Sequence, residues 1–170
     1  VTLYLVAATN FVNYKDVSAD DHARVDPSLT SFQNKSFDEM KNNQVTEYRK
    51  YYNRVSLTLA KTAQSYLPTD QRLKENVTVS DPSLSALAYQ FGRFVLITSS
   101  LPGTQAANLQ GLWNEDSDPM WDSKYTTNIN LQMNYWAAPS GNLWECTEPL
   151  YQLVKDVSDQ GTQVARENYG

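Results

Sequence analysis

The chain is short of the residues that build metal centres, disulfide frameworks and cationic surfaces. It holds one cysteine and one histidine in 170 residues. A lone Cys146 cannot close an internal disulfide, and no CxxC or HExxH spacing offers a transition-metal site. No metal or other cofactor is expected, and His22, in a polar stretch, reads as ordinary surface. Basic residues are outnumbered, 14 Lys and Arg against 19 Asp and Glu, for a net charge of −5. Nucleic-acid binding needs a basic patch to neutralise phosphates, so no such partner is expected. No apolar run approaches the roughly 18 residues of a membrane span, which speaks against a membrane partner. No signal peptide is readable. The opening run VTLYLVAATNF has no initiator Met or polar lead-in, as expected of a piece of a longer chain. Internal repeats and low-complexity tracts are absent.

What the chain has in excess is amide and indole, concentrated in one place. All four tryptophans and six asparagines lie between Asn108 and Trp144. Buried amides are costly unless hydrogen-bonded, so a packed core has little use for so many. Flat aromatic faces beside directional amides suit a sugar, whose ring faces stack and whose hydroxyls hydrogen-bond. The composition points to a carbohydrate site.

The pattern along the chain predicts a mainly α fold with an N-terminal β portion. Residues 1–11 alternate loosely and are rich in Val, Leu, Tyr and Thr, which predicts a strand. Residues 13–34 are polar and aperiodic, as in a surface loop. Ser36, with Glu39 three residues on, predicts a helix start, followed by Phe37, Met40, Val45, Tyr48 and Tyr52 on one face. Residues 55–59 alternate strictly and predict a second strand. Beyond Pro68 the pattern turns helical. Asp81-Pro82 is an N-cap and first-turn pair, and apolar residues then recur at helical spacing from Leu84 to Val95 until Pro102. Further helices are predicted over 126–138 and within 142–166. Between them, residues 103–124 form a long stretch rich in Asn, Asp, Trp and Pro, of a length that usually signals function.

Three segments carry a more specific signal: LPGTQAANLQGLWN (residues 101–114), WDSKYTTNINLQMNYW (121–136) and NLWECTEPL (142–150). In this order they closely resemble the catalytic domain of glycoside hydrolase family 95, the inverting α-L-fucosidases, which also includes α-L-galactosidases. Outside them, VTLYLVAATNF resembles the end of the family's N-terminal β-domain, YRKYYNRVSLTLA its linker, and DPSLSALAYQFGRFVLITSS its first barrel helix. The resemblance implies a fragment of a β-sandwich plus (α/α)6 barrel glycosidase. Residues 1–66 would be the end of the β-domain and the linker, and 67–170 the first, incomplete part of the barrel. It also implies an oligosaccharide or glycan substrate and an extracellular or periplasmic location.

Inverting hydrolysis needs a held water on one face of the sugar and a carboxylic acid on the other. The resemblance assigns the water-holding part to Asn128 and Asn130, with an Asp and the general acid Glu expected beyond Gly170, so that the 170 residues alone would be inactive. An amide can orient such a water but cannot by itself deprotonate it. Read without the family, Asn128 could equally cap the helix that follows. Trp113 and Trp121 could stack on sugar or pack the barrel; for Trp136 packing is the expectation. Asn108, Gln110 and Asn114 read as struts, and Asp116, Asp118 and Asp122 as solvated charges. Glu145 and Glu148, at i, i+3 on a helix, stand only about 5–6 Å apart. An inverting pair needs roughly 6.5–9.5 Å, so they read as structural. Two positions depart from the family pattern. Thr126 stands where many L-fucose-acting members carry His, and Ala137-Ala138-Pro139 where Pro-Ala-Glu is usual. Thr126, a substrate-binding candidate, could make room for and bond the extra hydroxyl of L-galactose, so an α-L-galactosidase is the alternative. A non-catalytic carbohydrate-binding module is the alternative from another class.

Overall fold

A computed structural model describes residues 3–170, which are mainly helical. The chain divides into two compact units, Val1–Arg49 and Lys50–Gly170.

In the first unit the expected strand does not form. Residues 3–11 take no regular secondary structure and find no β-partner among the described residues, and Leu3 and Leu5 stay exposed. Val1 and Thr2, also part of that expectation, lie outside the described residues. The bonds go instead to a side chain: the Arg24 guanidinium donates to the carbonyls of Thr9 (2.7 Å) and Phe11 (2.6 Å). Tyr4 stacks on Phe32 with ring centres 6.2 Å apart. Arg24 and Phe32 belong to helix α1 (Asp21–Phe32), within the stretch expected to be loop. Its start is chemically explicit, because Asp20 accepts from the Ala23 amide at 3.0 Å. It lacks the apolar stripe that would reveal it in sequence: no residue of it is buried and Pro27 interrupts it. Helix α2 (Phe37–Tyr52) begins where the sequence predicts, with Ser36 Oγ accepting from the Glu39 amide at 3.2 Å.

The second unit contains α3 (Thr69–Glu75), α4 (Pro82–Ser99), α5 (Asn130–Tyr135), α6 (Ala137–Ser140) and α7 (Glu148–Tyr169). The alternating residues 55–59 are likewise not a strand. Among the described residues β-pairing is limited to two isolated bridges within turns, Asn13 with Asp16 and Asn108 with Gly111. Alternation predicts an extended chain, and a strand also needs an edge to pair with. Here the Val55 carbonyl is taken by the side chains of Gln90 (3.1 Å) and Arg93 (3.4 Å).

The core forms where α4 meets α6 and the tight turn Trp144–Thr147, with Leu96, Ile97, Ala138, Leu143 and Cys146 buried. Arg93 lies in it, 3 % exposed. Its guanidinium donates to the carbonyls of Tyr51 (2.8 Å), Tyr52 (3.0 Å) and Gly141 (3.1 Å) and to Gln90 Oε1 (2.8 Å). The carbonyls of Tyr51 and Tyr52 close the C-terminal end of α2, where the helix dipole favours a cation. Close approach is enforced at Gly141, where an added Cβ would lie 2.8 Å from the Ala137 carbonyl oxygen.

A second polar strut fastens the start of α4. Asp81 holds the N-cap position and Pro82 the first turn, as the sequence predicts, but the Asp81 side chain makes no capping hydrogen bond. It accepts from Arg72 Nε (2.8 Å) and the Ser83 hydroxyl (2.8 Å). The Arg72 bond holds the Asp81 carboxyl below its ordinary value near 3.8, against the opposing effect of burial.

Two outcomes follow from these struts. Arg93→Met in the full-length protein removes the guanidinium's bonds to the Tyr51, Tyr52 and Gly141 carbonyls and is expected to cost about 2–4 kcal/mol in denaturant unfolding; a loss below about 1 kcal/mol would remove Arg93 from this role. For Asp81, a carboxyl lowered in the folded state contributes stability above its unfolded pKa and loses it as pH falls through the folded one. Wild type should therefore lose unfolding temperature as pH drops below about 4, and Asp81→Asn should lose less over that range, starting from a lower value.

Candidate functional site

The long segment between α4 and α5 is held at its base by one chain of hydroxyls. The Ala107 amide donates to Tyr135 Oη (2.7 Å), the Tyr135 hydroxyl to Ser100 Oγ (2.7 Å), and Ser100 to the Cys146 carbonyl (2.9 Å). The direction is fixed because Ser100 has one proton and gives it to a carbonyl. This joins the end of α4, the entry of the segment, α5 and the Trp144–Thr147 turn. Burial raises the Tyr135 phenol, so it stays a donor. Tyr125 adds a bond to the Ala106 carbonyl at 2.8 Å.

Asn108 organises the middle. Its carbonyl accepts from the Gly111 amide (3.0 Å) and Asn134 Nδ2 (2.8 Å), and its Oδ1 from the Gln110 amide (3.1 Å) and Ser123 Oγ (3.0 Å). Gly111 has φ +72°, and a side chain there would also meet Ser99 Oγ. Asn114 donates to Gln110 Oε1, so Asn108, Gln110 and Asn114 brace the segment as struts.

The short turn Met120–Ser123 is wound the wrong way for L-residues: Trp121, Asp122 and Ser123 have φ of 57°, 57° and 47°. Each left-handed residue without glycine costs roughly 1–2 kcal/mol. The Ser123–Asn108 bond and the Asp122 amide on the Pro119 carbonyl (2.9 Å) hold it. The turn presents the Trp121 ring outward, 69 % exposed.

Beside that ring lies a cleft of about 650 Å³, lined by Leu109, Gln110, Met120, Trp121, Lys124, Thr126 and Asn130. Three of the candidates from the sequence, Trp121, Thr126 and Asn130, therefore share one cavity. Asn130 opens α5, while Asn128 is exposed in the turn before it and outside the cleft lining. The capping alternative for Asn128 does not hold, because no side chain caps this terminus and the Leu131 amide bonds back to the Thr126 carbonyl at 3.0 Å. The helix predicted over 126–138 therefore starts only at Asn130, and it is divided at Trp136 into α5 and α6. Trp113 also stands apart from the cleft lining, its indole donating to Thr98 Oγ1 on α4 at 2.9 Å. Trp136, expected to pack, is exposed among the described residues.

Lys124 was not singled out in the sequence. It lies in the same WDSKY motif, and its ammonium pairs with Asp122 at 3.5 Å. Glu145 and Glu148 are structural here. Glu145 is bonded by Arg54 at 2.8 Å, which lowers its pKa, and Glu148 accepts from the Gly103 amide at 3.0 Å. The lowered carboxyl of Glu145 is unsuited to act as a proton donor. Among the described residues no cluster of three or more His, Cys, Asp or Glu could hold a metal ion, and no helix is long and apolar enough to cross a membrane.

An exposed indole, a threonine hydroxyl and the side-chain amides of Gln110 and Asn130 thus share one cleft on a helical scaffold. Comparison with known proteins specifies the family. The glycosyl hydrolase family 95 catalytic domain matches residues 36–170, and the chain belongs to that family. It is 40 % identical to alpha-L-fucosidase 2 of Arabidopsis thaliana over 99 % of this chain. It is 35 % identical to probable alpha-fucosidase A of Aspergillus niger over 88 % of this chain, and 27 % identical to that of Aspergillus oryzae over 100 %. The match spans 21 %, 19 % and 25 % of those proteins, roughly a fifth to a quarter of their lengths.

Cys146, in the turn that anchors the hydroxyl chain, has its thiol pushed up to about 11 by burial. Thiolate is the reactive form. In the native protein at pH 8, Cys146 should resist iodoacetamide and become labelled only on unfolding; rapid native labelling of this residue by mass spectrometry would contradict the packing described.

Proposed function

We propose that this chain forms part of an exo-acting glycoside hydrolase that removes terminal α-L-fucosyl residues from glycans with inversion. The observation that carries this reading is the cleft uniting Trp121, Thr126 and Asn130 inside the segment matched to the family 95 catalytic domain. Trp121 offers a face for a sugar ring, and Thr126, Gln110 and Asn130 offer hydroxyl and amide groups for its hydroxyls. In this reading Asn130, with Asn128 from the adjoining turn, holds the attacking water, and Trp113 is a further stacking face beyond the cleft. The carboxylate that polarises the water and the acid that protonates the leaving group come from outside these 170 residues. Residues 1–66 are then the end of a β-domain and a linker, and 67–170 the opening helices of an (α/α)6 barrel. An extracellular or periplasmic location belongs to the same reading.

The names of the relatives support fucose as the sugar. Thr126 favours a second reading, an α-L-galactosidase. It is half-buried in the cleft lining, where its hydroxyl could meet the one hydroxyl by which L-galactose exceeds L-fucose.

The test is Asn130→Ala in the full-length enzyme, assayed on matched aryl α-L-fucosides and α-L-galactosides. Turnover should fall by roughly two to four powers of ten with little change in unfolding temperature. Turnover within about tenfold of wild type would make Asn130 a mere helix-start residue. A wild-type preference for the galactoside would decide for the second reading, and no turnover of either by the wild type would favour a binding module.

A further inference from the structure

Residues 76–78 read Asn-Val-Thr, the acceptor pattern for asparagine-linked glycosylation. We propose that Asn76 carries an N-linked glycan. Its position suits the modification. Asn76 is the C-cap of α3, its amide bonded to the Arg72 carbonyl, and residues 76–79 form an exposed turn leading towards α4. The side-chain amide is used from one end only. Oδ1 accepts from the Asp81 amide at 3.1 Å, while Nδ2 has no hydrogen-bond partner among the described residues. Attachment takes place at Nδ2 and leaves Oδ1 an acceptor, so glycosylation preserves the bond that ties this turn to the buried Arg72–Asp81 pair.

In the transfer, Nδ2 forms a bond to C1 of a lipid-pyrophosphate-linked oligosaccharide. The C1–O bond to pyrophosphate breaks, the lipid pyrophosphate leaves with the electron pair, and the amide releases one proton. The surface around Asn76 is apolar for an exposed turn. Leu73, one helical turn back, is 60 % exposed and Val77 86 %. A glycan rooted between them would cover these side chains and raise solubility. The proposal requires passage through a lumen that holds the lipid-linked donor, but it does not depend on which sugar the cleft accepts.

Asn34-Lys35-Ser36 has the same pattern with serine, so the readout must be specific to the peptide. The full-length protein from its natural source is treated with N-glycosidase in heavy-oxygen water, which converts glycosylated asparagine to labelled aspartate. The Asn76 peptide should be recovered as labelled aspartate. Recovery of unlabelled asparagine at position 76, in whatever compartment the protein is found, overturns the proposal. Thr78→Ala, expressed in a secreting eukaryotic host, keeps Asn76 and its bond to Asp81 but destroys the acceptor pattern. It should be secreted with the label at position 76 lost. Label that persists in Thr78→Ala would come from spontaneous deamidation and would equally overturn the assignment.

Discussion

Everything near the cleft depends on a cation buried among carbonyl oxygens. Arg93 reaches from the middle of α4 to the last carbonyls of α2 and to the Gly141 carbonyl, and its guanidinium is a donor common to all three. An unmet buried carbonyl is expensive, and a planar guanidinium with five donors can serve several at once. Because the partners come from 41, 42 and 48 residues away in sequence, one side chain sets how α4, the end of α2 and the turn after α6 meet. The α4 ridge then fixes Ser100, and Ser100 with Tyr135 fixes where the cleft-forming segment starts.

The helices with an apolar stripe and an explicit cap were legible in the sequence. Ser36 with Glu39 marked α2, and Asp81-Pro82 marked α4. Helix α1 was not, because it buries nothing and its only signal is the Asp20 cap. The two expected strands failed for a related reason. Alternation describes which side each residue faces, and says nothing about a partner. In residues 3–11 and 55–59 carbonyls instead meet arginine and glutamine side chains placed by later helices, which the alternation within each stretch does not report.

The location of the site was more legible in the sequence than its geometry. The density of Asn and Trp located it, and the motif ordered it. That Trp121 and Asn130 face one cavity while Trp113 is bonded to Thr98 depends on a left-handed turn and on a backbone bond from Leu131 to Thr126. Neither has a composition signature. Lys124 went unnoticed because a lysine in an exposed loop is ordinary until the turn beside it folds.

The left-handed run at Trp121, Asp122 and Ser123 inverts the usual cost of glycine. In an ordinary helix or strand glycine destabilises, because it gives the unfolded chain more freedom to lose. Here the side chains themselves oppose the backbone, and a residue of mirror-image chirality would sit without strain. The rim of the cleft is thus a loaded element, kept wound by Asn108 and Pro119. The position of the Trp121 indole at the cleft therefore rests on hydrogen bonds made by residues that the ring itself does not touch, those of Ser123 and of the Asp122 amide.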